Sequence, residues 1–418
     1  MRNIKKAASI TLAAALLCSC GSSPVVKEQI EQTQITLSWW GNDKRNEYTL
    51  EAVELFEEQH PEIKVKCNYS EWSGYEARSR VQMNSDTEAD VMQINVGWLS
   101  EYSADGKGYY DLDSLSEYVD LSCFPDKILD YGRMNGVLNA IPIAMNAETI
   151  YYNMDILNKY GISPPKTWDE VTAAAEILSK DNIYILAGAS KSMWLYTLTY
   201  AEQVIGKPFL NEDETLAYTP EEVQVMIDFY CDMVKKKVFP QVEYYQKIDI
   251  DNNTYAGTIG WVSDAINYFS TVMDKGQNVI AGDYTAFSPE DAGKGWYAKP
   301  ATLYAISKNT VHPVEAAMLL DFMLNSKDWA LLQGVEKGIP ISSKAKKALD
   351  EAGQLSGLQY EASLVMDNNT KIAHMSPVYE NTTLIDAFIN KCTEVIFDKT
   401  SNTDAAKDLY EQFKEVTG

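Results

Sequence analysis

Nine tryptophans and 26 tyrosines stand against three histidines in this chain, so chemistry that needs imidazole as base or metal ligand starts with little material. The aromatics sit instead beside planar polar side chains. Trp40 is followed by Asn42, Asp43 and Arg45; Trp72 is followed by Tyr75, and Asn95 by Trp98. An aromatic face covers a flat apolar patch, while Asn, Asp and Arg pair with neighbouring hydroxyls. Together they suit a hydroxyl-rich small molecule. Each also has a plainer use: Asp43 as a helix cap, Arg45 as a solvated charge, and any tryptophan as core.

The signatures of common reactions are missing. No Gly-Lys-Ser/Thr phosphate loop, His-Glu-x-x-His or Gly-x-Ser-x-Gly occurs. Asp249, Asp251 and Asn253 open like a calcium loop, but Thr254 and Gly260 fall where glycine and glutamate are required. A paired-carboxylate argument for a glycosidase carries no weight among 60 acids, because some pair always falls at a suitable separation. His60, His312 and His374 form no cluster in sequence.

The elements that must position these residues are legible. Ile35, Leu37 and Trp39 alternate with Thr36 and Ser38, a strand that sends Trp39 to the core and leaves Trp40 at its carboxyl end. That is where open α/β sheets hold ligands. Tyr48, Ala52, Leu55 and Phe56 mark one face of a helix ended by Pro61, and Ile63, Val65 and Cys67 alternate again. A further helix after Ser73-Gly74 and a strand at Val91–Ile94 complete a wound α/β unit, whose strand ends carry Trp72, Tyr75, Asn95 and Trp98. Beyond residue 140 the alternation resumes. Thr167-Trp168-Asp169-Glu170 and Thr219-Pro220-Glu221-Glu222 are capping boxes, and Pro313 opens a helix through Ala316, Leu319, Leu320 and Met323.

A length of 418 residues allows roughly two or three domains. The net charge of -24 argues against nucleic acid as a partner and against anionic lipid held by bulk electrostatics. Arg2, Lys5 and Lys6 followed by the apolar run Ile10–Leu17 read as a secretory signal. Leu17-Cys18-Ser19-Cys20 resembles the lipobox of a bacterial lipoprotein, with Cys20 as the acylated first residue of the mature chain; ordinary cleavage with Cys20 in a disulfide is the alternative. Residues 1–19 are then the signal peptide and 20–34 a polar tether. Cys67, Cys123, Cys231 and Cys392 admit three pairings or none.

Five ordered stretches resemble one family, the extracellular solute-binding proteins of ABC transporters, in the sugar-binding class related to maltose-binding protein. They are Ile35–Gly41 with the helix ending Phe56–Pro61; Ala89–Ile94; Ala140–Pro142 through Asn153 to Pro165–Glu170; Ala305–Lys308; and Gly338–Pro340. The resemblance implies a type II periplasmic-binding-protein fold: two α/β lobes joined by crossing strands, with the ligand cleft between them. By this analogy residues 35–143 and 287–340 form the first lobe, and 144–286 and 341–418 the second. It also implies site residues in the second lobe. Gly257–Asp264 resembles a glycine-led strand delivering Trp261 into the cleft, with Asp264 as hydroxyl acceptor or helix cap. Asn146 follows the crossing segment, Trp194 lies in a loop with Ser190 and Lys191, and Trp296 closes one end of the cleft or packs its loop.

The spacing of acids and aromatics differs from that of simple maltose binders, and the Trp-Trp-Gly-Asn start with Arg45 is closer to binders of varied oligosaccharides in host-associated bacteria. The function implied is a monomeric, lipid-anchored receptor without cofactors. It would hand an oligosaccharide to the membrane permease subunits of an ABC importer and touch the membrane through its lipid alone. A glycan-binding surface adhesin and a carbohydrate-active hydrolase are the alternatives.

Overall fold

The computed structural model describes residues 32–246 and 248–418, so the signal, Cys20 and most of the tether lie outside the described residues. The first lobe opens with β1 (Thr33–Trp40), α1 (Asp43–Gln59), β2 (Ile63–Ser70), α2 (Trp72–Asn84), β3 (Val91–Ile94) and α3 (Gly97–Ser103). Helix α4 (Asp126–Leu129) and the hairpin β4 (Arg133–Met134) and β5 (Val137–Leu138) lead to β6 (Ala140–Asn153), which crosses between lobes. The second lobe follows with α5 (Met154–Lys159), α6 (Trp168–Leu178), α7 (Ser190–Ile205), α8 (Pro220–Lys235), α9 (Ile248–Asp251), β7 (Gly257–Trp261), α10 (Ala265–Asp274) and β8 (Val279–Gly282). Strand β9 (Tyr297–Ile306) returns to α11 (Pro313–Asn325), α12 (Lys327–Gln333) and α13 (Ser343–Glu351). The chain then crosses again to α14 (Leu358–Asp367), β10 (Ala373–His374), α15 (Thr382–Ile396) and α16 (Asn402–Thr417).

One sheet links the lobes in the order β2-β1-β3-β9-β6-β7, with β8 also on β6 and β10 on β9. Strands β2 and β3 flank β1 in parallel, and β9 runs antiparallel to β3. The first eight residues of β6 face β9, while Glu148–Asn153 face β7 and β8. Between those stretches the register shifts at Pro142 to Met145, opposite Pro300. Proline donates no ladder hydrogen bond and bulges bend strands, so the crossing ribbon is locally weakened where a hinge is needed.

Each lobe has its own core. Ile35, Leu37 and Trp39 pack with Phe56, Phe322 and Trp329 in the first, and Trp168, Trp194, Tyr230, Phe388 and Phe413 in the second. Both capping boxes form: the Glu170 amide donates to Thr167 Oγ1 at 3.3 Å, and the Thr219 amide to Glu222 Oε2 at 2.8 Å. Packing moves two lobe boundaries from their expected places. Helix α13 buries Ala345, Ala348 and Leu349 against Ala330 of α12, so the chain stays with the first lobe to that helix rather than leaving at 341. Trp296 and Tyr297 are buried in the second core, so the return to the first lobe starts in β9 rather than at 287. The four described cysteines are free thiols.

Candidate functional site

Between the lobes lies a cavity of about 720 Å³. From the first lobe it is lined by Trp40, Lys44, Arg45, Gln93 and Glu336–Gly338; from the second and the crossing ribbon by Asn146, Ser263, Asp264, Lys299 and Gln359. Both lobes thus contribute polar groups to one space, as a molecule held by lobe closure requires.

The first wall grows from the end of β1. Trp40 lines the cavity, stacked obliquely on Tyr75 with centroids 5.4 Å apart and edge-on to Trp72 at 4.9 Å. Tyr75 and Trp98 are ring-parallel beneath it and fully buried. The Tyr75 hydroxyl donates to the Gln93 carbonyl at 2.6 Å, so these two expected ligand residues act as the floor that holds Trp40. Trp72 flanks the group, 37% exposed. Asn42, rather than Asp43, caps α1, its Oδ1 accepting the Arg45 amide at 2.9 Å; Asp43 is an exposed first-turn residue, and neither lines the cavity. Asn95 is likewise turned to its own loop, accepting the Gly97 amide at 2.9 Å. Arg45 is placed by Gly41, where a Cβ would meet the Arg45 Cβ at 2.6 Å.

Arg45 and Lys44 both face Glu336, at 3.5 and 3.0 Å. The next residue, Lys337, is buried at 5% exposure, and its ammonium donates to Tyr304 Oη at 2.7 Å and Gln93 Oε1 at 3.1 Å. No carboxylate lies within ion-pairing distance of it among the described residues. Burial, reinforced by Arg45, pulls its pKa down to about 7. The loop carrying it is held by Gly338, whose φ of +99° and contact with Ala144 of β6 exclude a side chain there.

The second wall is built differently. Lys299 stands over the Trp261 ring, 4.9 Å from its centroid, and shares Glu380 with Lys191. Burial opposes the charge on Glu380, but Lys299 and Lys191 prevail and hold its carboxyl below the ordinary range. Trp261 is half-buried under Lys299 and does not line the cavity, whereas Asp264 does. Asn146 clasps Ser263 from the crossing strand, donating to its Oγ at 3.0 Å and accepting its amide at 3.1 Å. Opposite Trp261, burial pushes the Glu148 carboxyl up to about 8 against a hydrogen bond from Ser192.

Two expected ligand residues belong to the core. Trp194 lies in α7, not a loop, fully buried among Phe209, Phe388 and Phe413 with its indole donating to the Tyr379 carbonyl. Trp296 is buried against Tyr196 and Tyr284 and donates to the Thr285 carbonyl. Conversely, sequence reasoning passed over Lys44, Gln93, Lys299, Glu336 and Lys337. Gln93 near the end of β3 satisfied the same strand-end rule that selected Asn95, whereas Lys337 had no local signal beyond the adjacent Gly338-Ile339-Pro340.

A two-lobed α/β frame with a ligand-sized cleft at its crossing strands defines a class of receptor rather than a reaction. Residues 41–328 match the bacterial extracellular solute-binding protein family, and the chain belongs to that family. A putative binding protein of Brucella abortus is 25% identical over 316 residues, covering 73% of this chain and 75% of its own. Among solved structures, a periplasmic oligogalacturonide-binding protein from Yersinia enterocolitica is 31% identical, covering 92% of this chain and all of its own, with a TM-score of 0.80. A de novo designed cysteine esterase is similar in structure too, at 30% identity, 93% and 98% coverage and a TM-score of 0.87. Among the described residues, no helix is long and apolar enough to cross a membrane.

Proposed function

We propose that the protein is a lipid-anchored receptor, acylated at Cys20, that captures an oligosaccharide between its lobes and delivers it to the permease of an ABC importer. The observation that carries this reading is the cleft's make-up: an aromatic face, Trp40, on the same cavity as the planar polar groups Arg45, Gln93, Asn146 and Asp264. Such a surface meets both the C–H patches and the hydroxyl pairs of a sugar. The oligogalacturonide binder from Yersinia supports the ligand class. The esterase supports no catalytic reading, because its activity is a design. Two acyl chains on Cys20 would anchor it stably, each methylene contributing about 0.8 kcal/mol.

Titrating the purified protein with a glycan panel while following tryptophan fluorescence tests this. Saturable change with an oligosaccharide and no cleavage of labelled ligand is the expected result. Turnover to product would make it a hydrolase, and tight binding that no co-expressed permease exploits for uptake would make it an adhesin.

A further inference from the structure

The chain is strongly acidic, with a net charge of -24, yet its cleft is not. Lining the cavity are four cations, Lys44, Arg45, Lys299 and Lys337, against two carboxylates, Asp264 and Glu336, with Lys191 and Glu380 joined to Lys299 in an ion-paired group. Glu336 answers Lys44 and Arg45, and Glu380 answers Lys191 and Lys299. Lys337 differs, because both of its partners are neutral. A buried ammonium without a counter-charge is costly unless something supplies one. Hydrogen bonds from the ammonium to Gln93 and Tyr304 fix its position but leave its charge unanswered. It lines the cavity beside Arg45, the residue type best shaped to pair with a carboxylate.

We propose that Lys337 and Arg45 form a subsite for a sugar carboxylate, so that the oligosaccharide taken by this cleft carries uronic acid units. This rests on the carbohydrate reading above and narrows it. A neutral sugar has no group to offset the buried ammonium, whereas a uronate brings one to the place where the chain withholds it. Occupancy would also move a proton. The titratable groups around Lys337 are Arg45 of α1, Tyr304 of β9 and the adjoining Glu336, with Tyr48 of α1 and Tyr75 of α2 next to Tyr304, and of these Arg45 opposes its protonation. A carboxylate reverses that balance, so binding near pH 7 takes up protons from the buffer.

The test is isothermal titration of the purified protein with short oligomers of galacturonate, glucuronate and mannuronate-guluronate, each beside its methyl ester, and with neutral maltotriose and raffinose. The expected result is that one free acid binds about tenfold or more tightly than its own ester, because a charge-assisted pair is lost on esterification. Its binding heat should vary with the ionisation enthalpy of the buffer. Lys337→Met should fold, shown by an undiminished melting temperature, and should bind acid and ester alike; Lys337→Arg should keep the preference. Binding of neutral sugars with no response to any acid would overturn the uronate subsite and leave the carbohydrate reading standing. Preference for the acid surviving in Lys337→Met would overturn the assignment to this residue. Failure of every saccharide would remove the carbohydrate reading itself, and this proposal with it.

Discussion

The two walls of the cleft solve the same electrostatic problem in opposite ways. In the second lobe, Lys191 and Lys299 share Glu380, so the wall arrives with its charges largely matched. In the first, Lys337 is buried on Gln93 and Tyr304 and relies on neutral partners alone. One wall is preset by its own residues, the other completed by what enters. The difference also gives the lobes opposite responses to pH.

That contrast sets the largest expected effects. Glu148, held protonated up to about pH 8 against an ordinary 4.5, keeps a proton that the unfolded chain has released. Its contribution to stability is therefore complete below about pH 4.5 and is lost as pH rises toward 8, by about 1.4 kcal/mol per pH unit at most. Lys337 is depressed to about 7 from 10.5, so its contribution is present above that upper value and is lost as pH falls toward 7. Melting curves across pH 5 to 10 should show Glu148→Gln flattening the lower limb alone and Lys337→Met the upper limb alone. If either variant changes both limbs, the walls are coupled rather than independent.

Next comes the aromatic face. Trp40 lines the cavity, whereas Trp261 does not and lies under Lys299. Trp40→Ala should weaken ligand binding by about 2 kcal/mol, the scale of a buried aromatic anchor. Trp261→Ala should cost about 1 kcal/mol, through the loss of a cation–π contact that steadies Lys299. Fluorescence titration of both variants checks the order, and a larger loss at Trp261 would show that its ring reaches the ligand when the lobes close.

Those two tryptophans also show what sequence could and could not reveal. The two-residue period of β1 sent Trp39 inward and left Trp40 at the strand end, because a strand's alternation is local information. The capping boxes at Thr167 and Thr219 were legible for the same reason. Trp194 was misjudged, and Trp296 stayed open between cleft and loop packing, because their burial is decided by distant segments: the carbonyl that holds Trp194 belongs to a residue 185 positions away. Lys337 was invisible on the same ground, its ammonium meeting a side chain 244 positions earlier. Alternation and caps report on neighbours, while a charge in a cleft is defined by whatever else the fold brings there.

A smaller effect separates distance from burial. Lys44 and Lys337 both line the cleft, and both make contacts at about 3 Å. Lys44 is 73% exposed in its side chain, so water already solvates its charge and screens its pair with Glu336. Exposed pairs of this kind are worth about 0.5 kcal/mol or less, and salt weakens them further. Lys44→Ala should therefore change affinity for an acidic sugar by less than about threefold, and the remaining difference should vanish in 0.5 M salt. Loss of Lys337 should persist at that salt concentration, because a buried charge lies beyond the reach of mobile ions. Calorimetry of the two variants at low and high salt measures this directly. Equal salt sensitivity would mean that the first wall attracts its ligand through diffuse positive potential, and the contrast between a matched wall and an unfinished one would then reduce to a difference in net charge.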